Sequence, residues 1–99
     1  MAVFEIITER EQAGGWSYRV QTPGPKTGKL HQFNMQLSWA DYNHWSATGN
    51  DTPQSVAEAV LSFLFDRLEL HDLPDKFDAS LARRRFDDAD QLIPSLIRR

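Results

Sequence analysis

TPQSVAEAVLSFLFDRLEL, residues 52–70, is the one long segment that must be read as a helix. The Thr52 hydroxyl suits the free amides of a first turn, and at Pro53 the missing N–H costs nothing. Gln54, Ala57, Glu58, Ala59 and Leu61 are good helix formers. At about 100° per residue, Ser55, Glu58, Ser62, Asp66 and Glu69 fall on one polar stripe. Opposite them lie Ala57, Val60, Leu61, Leu64 and Leu68, flanked by Val56, Phe63 and Phe65. Arg67 intrudes on this apolar face. The plain reading is an edge arginine whose head snorkels to water; the sharper one pairs it with a carboxylate at a junction. A helix of this kind needs a flat apolar surface to cover.

The residues before it supply that surface. V-F-E-I-I-T, residues 3–8, is rich in β-branched and aromatic side chains and reads as a strand. A polar stretch ending in Gly14-Gly15 makes a hairpin loop. Trp16, Tyr18 and Val20 then alternate with Ser17, Arg19 and Gln21, the pattern of a half-buried strand. Residues 22–29, T-P-G-P-K-T-G-K, form a breaker-rich loop. Its glycine spacing and the strand that follows exclude a phosphate-binding P-loop, although Lys26 and Lys29 suit an acidic partner. His31, Phe33, Met35, Leu37 and Trp39 face one way, and Gln32, Asn34, Gln36 and Ser38 the other. Ala40-Asp41 allows a tight turn, and residues 42–48 are expected to add a fourth strand.

After residue 70 the elements shorten. Pro74 breaks a connector over residues 71–76. Asp78 suits the cap of a short helix over residues 79–86, packed through Leu81, Ala82 and Phe86. Asp87, Asp88 and Asp90 open a last turn carrying Leu92 and Ile93, and Pro94 starts or breaks a segment with Leu96 and Ile97. The expected fold is α+β: a three- or four-stranded antiparallel sheet (1–48) packed on one long helix (about 53–70), with a short helical C-terminal segment (71–99). Trp16, Tyr18, Val20, Phe33, Met35 and Leu37 should meet Val60, Leu61, Leu64 and Leu68. At 99 residues this is a single domain.

The absence of cysteine excludes disulfides and thiol catalysis, and it fits a reducing cytoplasm. The first residues lack a basic and apolar leader, so no signal peptide is expected. No run is long enough to span a membrane, so no membrane partner is expected. A net charge of −3 argues against general nucleic-acid binding.

Few residues suggest chemistry. His31, His44 and His71 lack ligand spacing, and the mixture His71, Asp72, Asp75 and Asp78 lacks the spacing and turn glycine of a calcium loop, so no metal or cofactor is expected. Asp41 and His44 are close enough to act as an orienter–base pair, but no nucleophile motif accompanies them. Arg83, Arg84 and Arg85 fan around a helix, where Asp87 and Asp88 stand four residues after the first two. Trp16 is assigned to the core, and Trp39 or Trp45 is the candidate exposed anchor.

Two pieces, Gly14-Gly15-Trp16-Ser17-Tyr18-Arg19-Val20 and Thr48-Gly49-Asn50-Asp51-Thr52 followed by Ser55, Ala57, Glu58 and Ala59, resemble the HicB-type antitoxin domain. The piece from Thr48 is similar to that family's G-D-T strand-to-helix turn, with Asn50 as an extra residue. The resemblance implies a small antiparallel sheet on a helix and a partner that is an RNA-cleaving toxin. Many members carry a separate DNA-binding segment; residues 50–99 contain no recognisable one. No catalytic residue carries over.

The sequence therefore predicts a non-catalytic macromolecule-binding module with a protein partner, and candidate binding residues Trp39, Trp45, His44, Arg83 and Arg84. Nucleic-acid binding or antitoxin-like regulation is the alternative, and a small enzyme using Asp41 and His44 the third. Residues 3–8 lack proline and lysine, the usual guards of a free edge. Such an edge tends to be covered, here by residues 92–97 or by a second copy in a homodimer.

Overall fold

The computed structural model describes residues 4–24 and 28–98; Val3 and Lys26, both assigned roles above, lie outside them. The fold is α+β. A four-stranded sheet runs β1 (Glu5–Gln12), β2 (Gly15–Pro23), β3 (Leu30–Ser38) and β4 (Lys76–Asp78), in that spatial order. Among the described residues, four α-helices accompany it: α1 (Trp39–Trp45), α2 (Pro53–Phe65), α3 (Leu81–Arg85) and α4 (Ala89–Leu96).

The alternation read from the sequence holds along β2 and β3. Trp16, Tyr18, Val20, Phe33, Met35 and Leu37 are all buried, while Arg19 and Gln32 point to water. Trp16 pairs with Leu37, Tyr18 with Met35 and Val20 with Phe33, so the apolar side chains form one continuous face. Gly14 turns the hairpin at φ 86°. At Gly15 a Cβ would stand 2.1 Å from the Leu37 carbonyl oxygen, so only glycine fits against β3 there.

Helix α2 covers this face with Val56, Val60, Leu61 and Leu64 fully buried. Its cap is as expected: Thr52 Oγ1 accepts from the Ser55 amide at 3.0 Å, and Pro53 follows. Its length is not. The helix has 13 residues and ends at Phe65 rather than Leu70. Glu69 is extended (φ −77°, ψ 155°) and caps a 3-10 turn over Leu70–Asp72, which the long helix would have abolished. Arg67, just past the helix, follows the sharper reading. It makes a bidentate contact with Asp88 (2.8 and 3.1 Å) and lies 4.3 Å over the Phe63 ring.

Two strand assignments change. Residues 42–48 are not a strand, and Ala40-Asp41 is not a turn: both contribute to α1. The Ser38 hydroxyl accepts from the Asp41 amide at 3.0 Å, and Asp41, Tyr42 and Trp45 are buried on one helical face. The S-x-x-D pattern at Ser38–Asp41 is a helix start, masked by the β-forming aromatics around it. Consequently Gly49 to Thr52 joins two helices, not a strand to a helix. The fourth strand is instead β4, which pairs parallel to β3 and makes the sheet mixed. Phe77 anchors it, stacked on Phe33 at 5.7 Å.

β1 and β4 are the edges. β1 carries an irregularity between Ile6 and Thr8 that throws Ile7 into solvent, 41 % exposed. The bulge interrupts the edge at Ile7 and leaves Thr8 to Gln12 as its regular length. Helix α4 packs on α2 and α1. No described helix is long and apolar enough to cross a membrane.

Candidate functional site

All five candidate binding residues lie on α1 or α3, and an internal charge cluster joins three of them, His44, Trp45 and Arg83. Arg83, on α3, reaches between α1 and α4. Its Nε donates to Asp90 Oδ1 at 3.0 Å. Its Nη2 stands 2.9 Å from Asp41 Oδ1, an ionic contact whose N–H bonds are out of line for a good hydrogen bond. Trp45 Nε1 also donates to Asp90 Oδ1, at 2.9 Å, and His44 Nε2 lies 3.1 Å from Asp90 Oδ2. The Arg83 guanidinium stands 5.1 Å from the centre of the Trp45 ring.

Each shift in acidity follows from this geometry. Burial alone would push Asp90 up, but hydrogen bonds from Arg83, Trp45 and His44 outweigh it and hold the carboxyl below its ordinary value. Burial alone would lower Arg83; the bond to Asp90 and the charges of Asp41 and Asp90 raise it instead. Asp41 and His44 do not contact each other as an orienter–base pair would. Asp41 faces Arg83 and His44 faces Asp90, so the two groups serve different partners. The cluster's visible work is to fasten α3 and α4 to α1.

Trp45 is fully buried, which corrects its place as an exposed anchor: its indole N–H needs an acceptor at the rim of the core, and the partly exposed Asp90 provides one. Arg84 is exposed. The expected Arg83–Asp87 and Arg84–Asp88 pairs are replaced, because α3 stops at Arg85 and Asp88 is taken by Arg67. His31 pairs with Asp75 and His71 with Asp72. Among the described residues, no three histidine or carboxylate side chains converge on a point that could hold a metal ion.

Trp39 is the exposed aromatic. It is 47 % accessible, yet its ring lies 4.5 Å from Trp16 and 5.9 Å from Tyr42. Its amide donates to the Gly14 carbonyl at 2.9 Å, which ties the start of α1 to the β1–β2 hairpin. Tyr42 is itself locked, its hydroxyl donating to the carbonyls of Gly49 and Asp51. The result is a partly exposed aromatic cluster, Trp39 against the buried Trp16 and Tyr42, at one end of the sheet.

Beneath the same sheet layer, the Tyr18 hydroxyl donates to Glu9 Oε2 at 2.7 Å. Burial and this carboxylate acceptor push the phenol well above its ordinary value of 10.0. The folded state therefore keeps a proton that the unfolded chain releases above about pH 10. Stability is fully present below that pH and falls as pH rises beyond it. Denaturant midpoints measured between about pH 8 and 11 should show this decline, and Tyr18→Phe should flatten it. An identical alkaline slope in both proteins would remove Tyr18 as its source.

No protein-family model, no curated protein and no solved structure matches the chain.

Proposed function

We propose that the chain is a non-catalytic protein-binding module with Trp39 as its anchor. The observation that carries this is the exposed Trp39 ring, packed against Trp16 and Tyr42. Rigid aromatic side chains supply large contact area with little entropy left to lose, which is why they dominate binding hot spots. Of the two pieces that resemble the HicB-type antitoxin domain, only the strand piece at residues 14–20 keeps the family's setting, and it favours a protein partner too; the absence of cysteine fits the reducing cytoplasm where we place it. Nucleic-acid binding through Arg83, Arg84 and Arg85 has less support, because Arg83 is committed to Asp41 and Asp90. The enzyme reading has less still, since Asp41 and His44 face different partners.

The test is retention of partners from native cell extract on the immobilised protein and on Trp39→Ala. Truncating a hot-spot tryptophan costs about 2 kcal/mol or more, so retention should fall by roughly thirtyfold. Unchanged retention of the same proteins by Trp39→Ala, or retained material that nuclease destroys, would defeat the proposal.

A further inference from the structure

The face of the sheet turned away from α2 carries a separate feature. Register places Thr8, Arg19, Asn34 and Lys76 in one row across the four strands, and Arg10, Ser17, Gln36 and Asp78 in the next. Thr8, Arg10, Ser17, Arg19 and Asn34 line a shallow hollow there. Arg10 and Arg19 are diagonal neighbours on adjacent strands, about 7–8 Å apart, where like charges repel. Among the described residues neither has a carboxylate partner, although Arg67 and Arg83 each do. Glu9 and Glu11 lie on the opposite face, paired with Tyr18 and Trp16. Arg19 is preset: its Nε and Nη2 donate to Gln32 Oε1 at 2.9 and 2.6 Å. Two cations, two hydroxyls and an amide thus surround a hollow that no acidic side chain lines.

We infer that this hollow binds a phosphate group carried by an extended segment of a partner protein that pairs with the free edge of β1. A phosphate monoester offers three charged oxygens to guanidinium forks and hydroxyls, more than a carboxylate can. The edge selects the carrier. An added strand alternates its side chains between the two faces, so one residue meets Arg10 and Thr8 while its neighbours meet Glu9 and Glu11. A phosphoserine flanked by lysines satisfies both faces. A second copy of β1 does not: face-matched antiparallel self-pairing beyond the bulge sets glutamates opposite glutamates, whether Glu9 meets Glu9, Glu9 meets Glu11 or Glu11 meets Glu11. A nucleic-acid strand would find no aromatic side chain lining the hollow on which to stack its bases.

The test uses the full chain, isotopically labelled for NMR, and four probes: inorganic phosphate, the peptide Val-Lys-phosphoSer-Lys-Val, its unphosphorylated form, and oligo(dT). Phosphate and the phosphopeptide should shift the amides of Thr8 and Ser17 and the side chains of Arg10 and Arg19. The phosphopeptide should bind at least about tenfold more tightly than its unphosphorylated form and should slow exchange along β1. Arg10→Gln with Arg19→Gln should abolish that difference while leaving the urea midpoint in place, since both side chains are exposed. Equal binding of the two peptides, no shifts at about 10 mM phosphate, or full binding by the double variant would overturn the site. Shifts with phosphate alone would overturn the strand assignment, and a stronger effect of oligo(dT) at the same residues would overturn the choice of partner.

Discussion

Arg83→Ala is expected to destabilise the fold by about 2–3 kcal/mol, at or below the bottom of the roughly 3–5 kcal/mol range for breaking a buried ion pair, because the arginine is itself partly exposed. The cost comes from what is left behind. The Asp41 side chain is only 7 % exposed, and Arg83, 37 % exposed, is its cation. Without Arg83 the carboxylate is left in a poorly solvated site without its cation. Asp90 suffers less, since it keeps Trp45 and His44 and reaches water. Asp41→Asn combined with Arg83→Met should recover most of the loss, because it removes the stranded charge while preserving the packing of the long side chain over Trp45. Urea titration of Asp41→Asn, Arg83→Met and the double variant closes the cycle. If the single losses simply add in the double variant, Asp41 and Arg83 are not coupled, and the account of the α1–α3–α4 junction fails.

That junction also shows where sequence reading stops. The faces of β2 and β3 were legible because burial there repeats every second residue, and the repeat is written in Trp16, Tyr18, Val20, Phe33, Met35 and Leu37. The start of α2 was legible because Thr52 and Pro53 act within one turn. The bond from Trp45 to Asp90 spans 45 positions, and no local pattern encodes it. β4 has three residues and only Phe77 to reveal it, and its pairing to β3 depends on a crossover through α1 and α2. The α1 helix was hidden by composition: Tyr42 and Trp45 favour strands, while the capping hydroxyl of Ser38 sat at the end of a strand already assigned. Of the candidate binding residues, Trp39 could be named from aromatic surplus, but choosing it over Trp45 required knowing which indole is buried with its N–H bonded to Asp90. The hollow around Arg10 and Arg19 had no sequence signal, because it exists only through the register of β1 on β2.

Leu64→Ala should cost about 2–5 kcal/mol, the range for truncating a fully buried leucine without collapse of the space it leaves. Leu64 is 0 % exposed in the centre of the helix face, and its neighbours Val60 and Leu61 are equally buried, so little is free to move into the void. Ser62 lies two residues away and faces outward. Ser62→Ala removes a solvated hydroxyl and slightly improves helix propensity, so its effect should stay within about 0.5 kcal/mol. The contrast between the two tests the face assignment more sharply than either value alone. Both should leave the dependence on urea concentration unchanged, since neither alters how much surface unfolding exposes, and the difference should appear as a shift in midpoint. A small effect at both positions would mean that α2 is not the element that seals the sheet. A large effect at Ser62 with a small one at Leu64 would mean that the helix is rotated about its axis, with its apolar stripe turned from Trp16, Tyr18 and Met35 toward solvent.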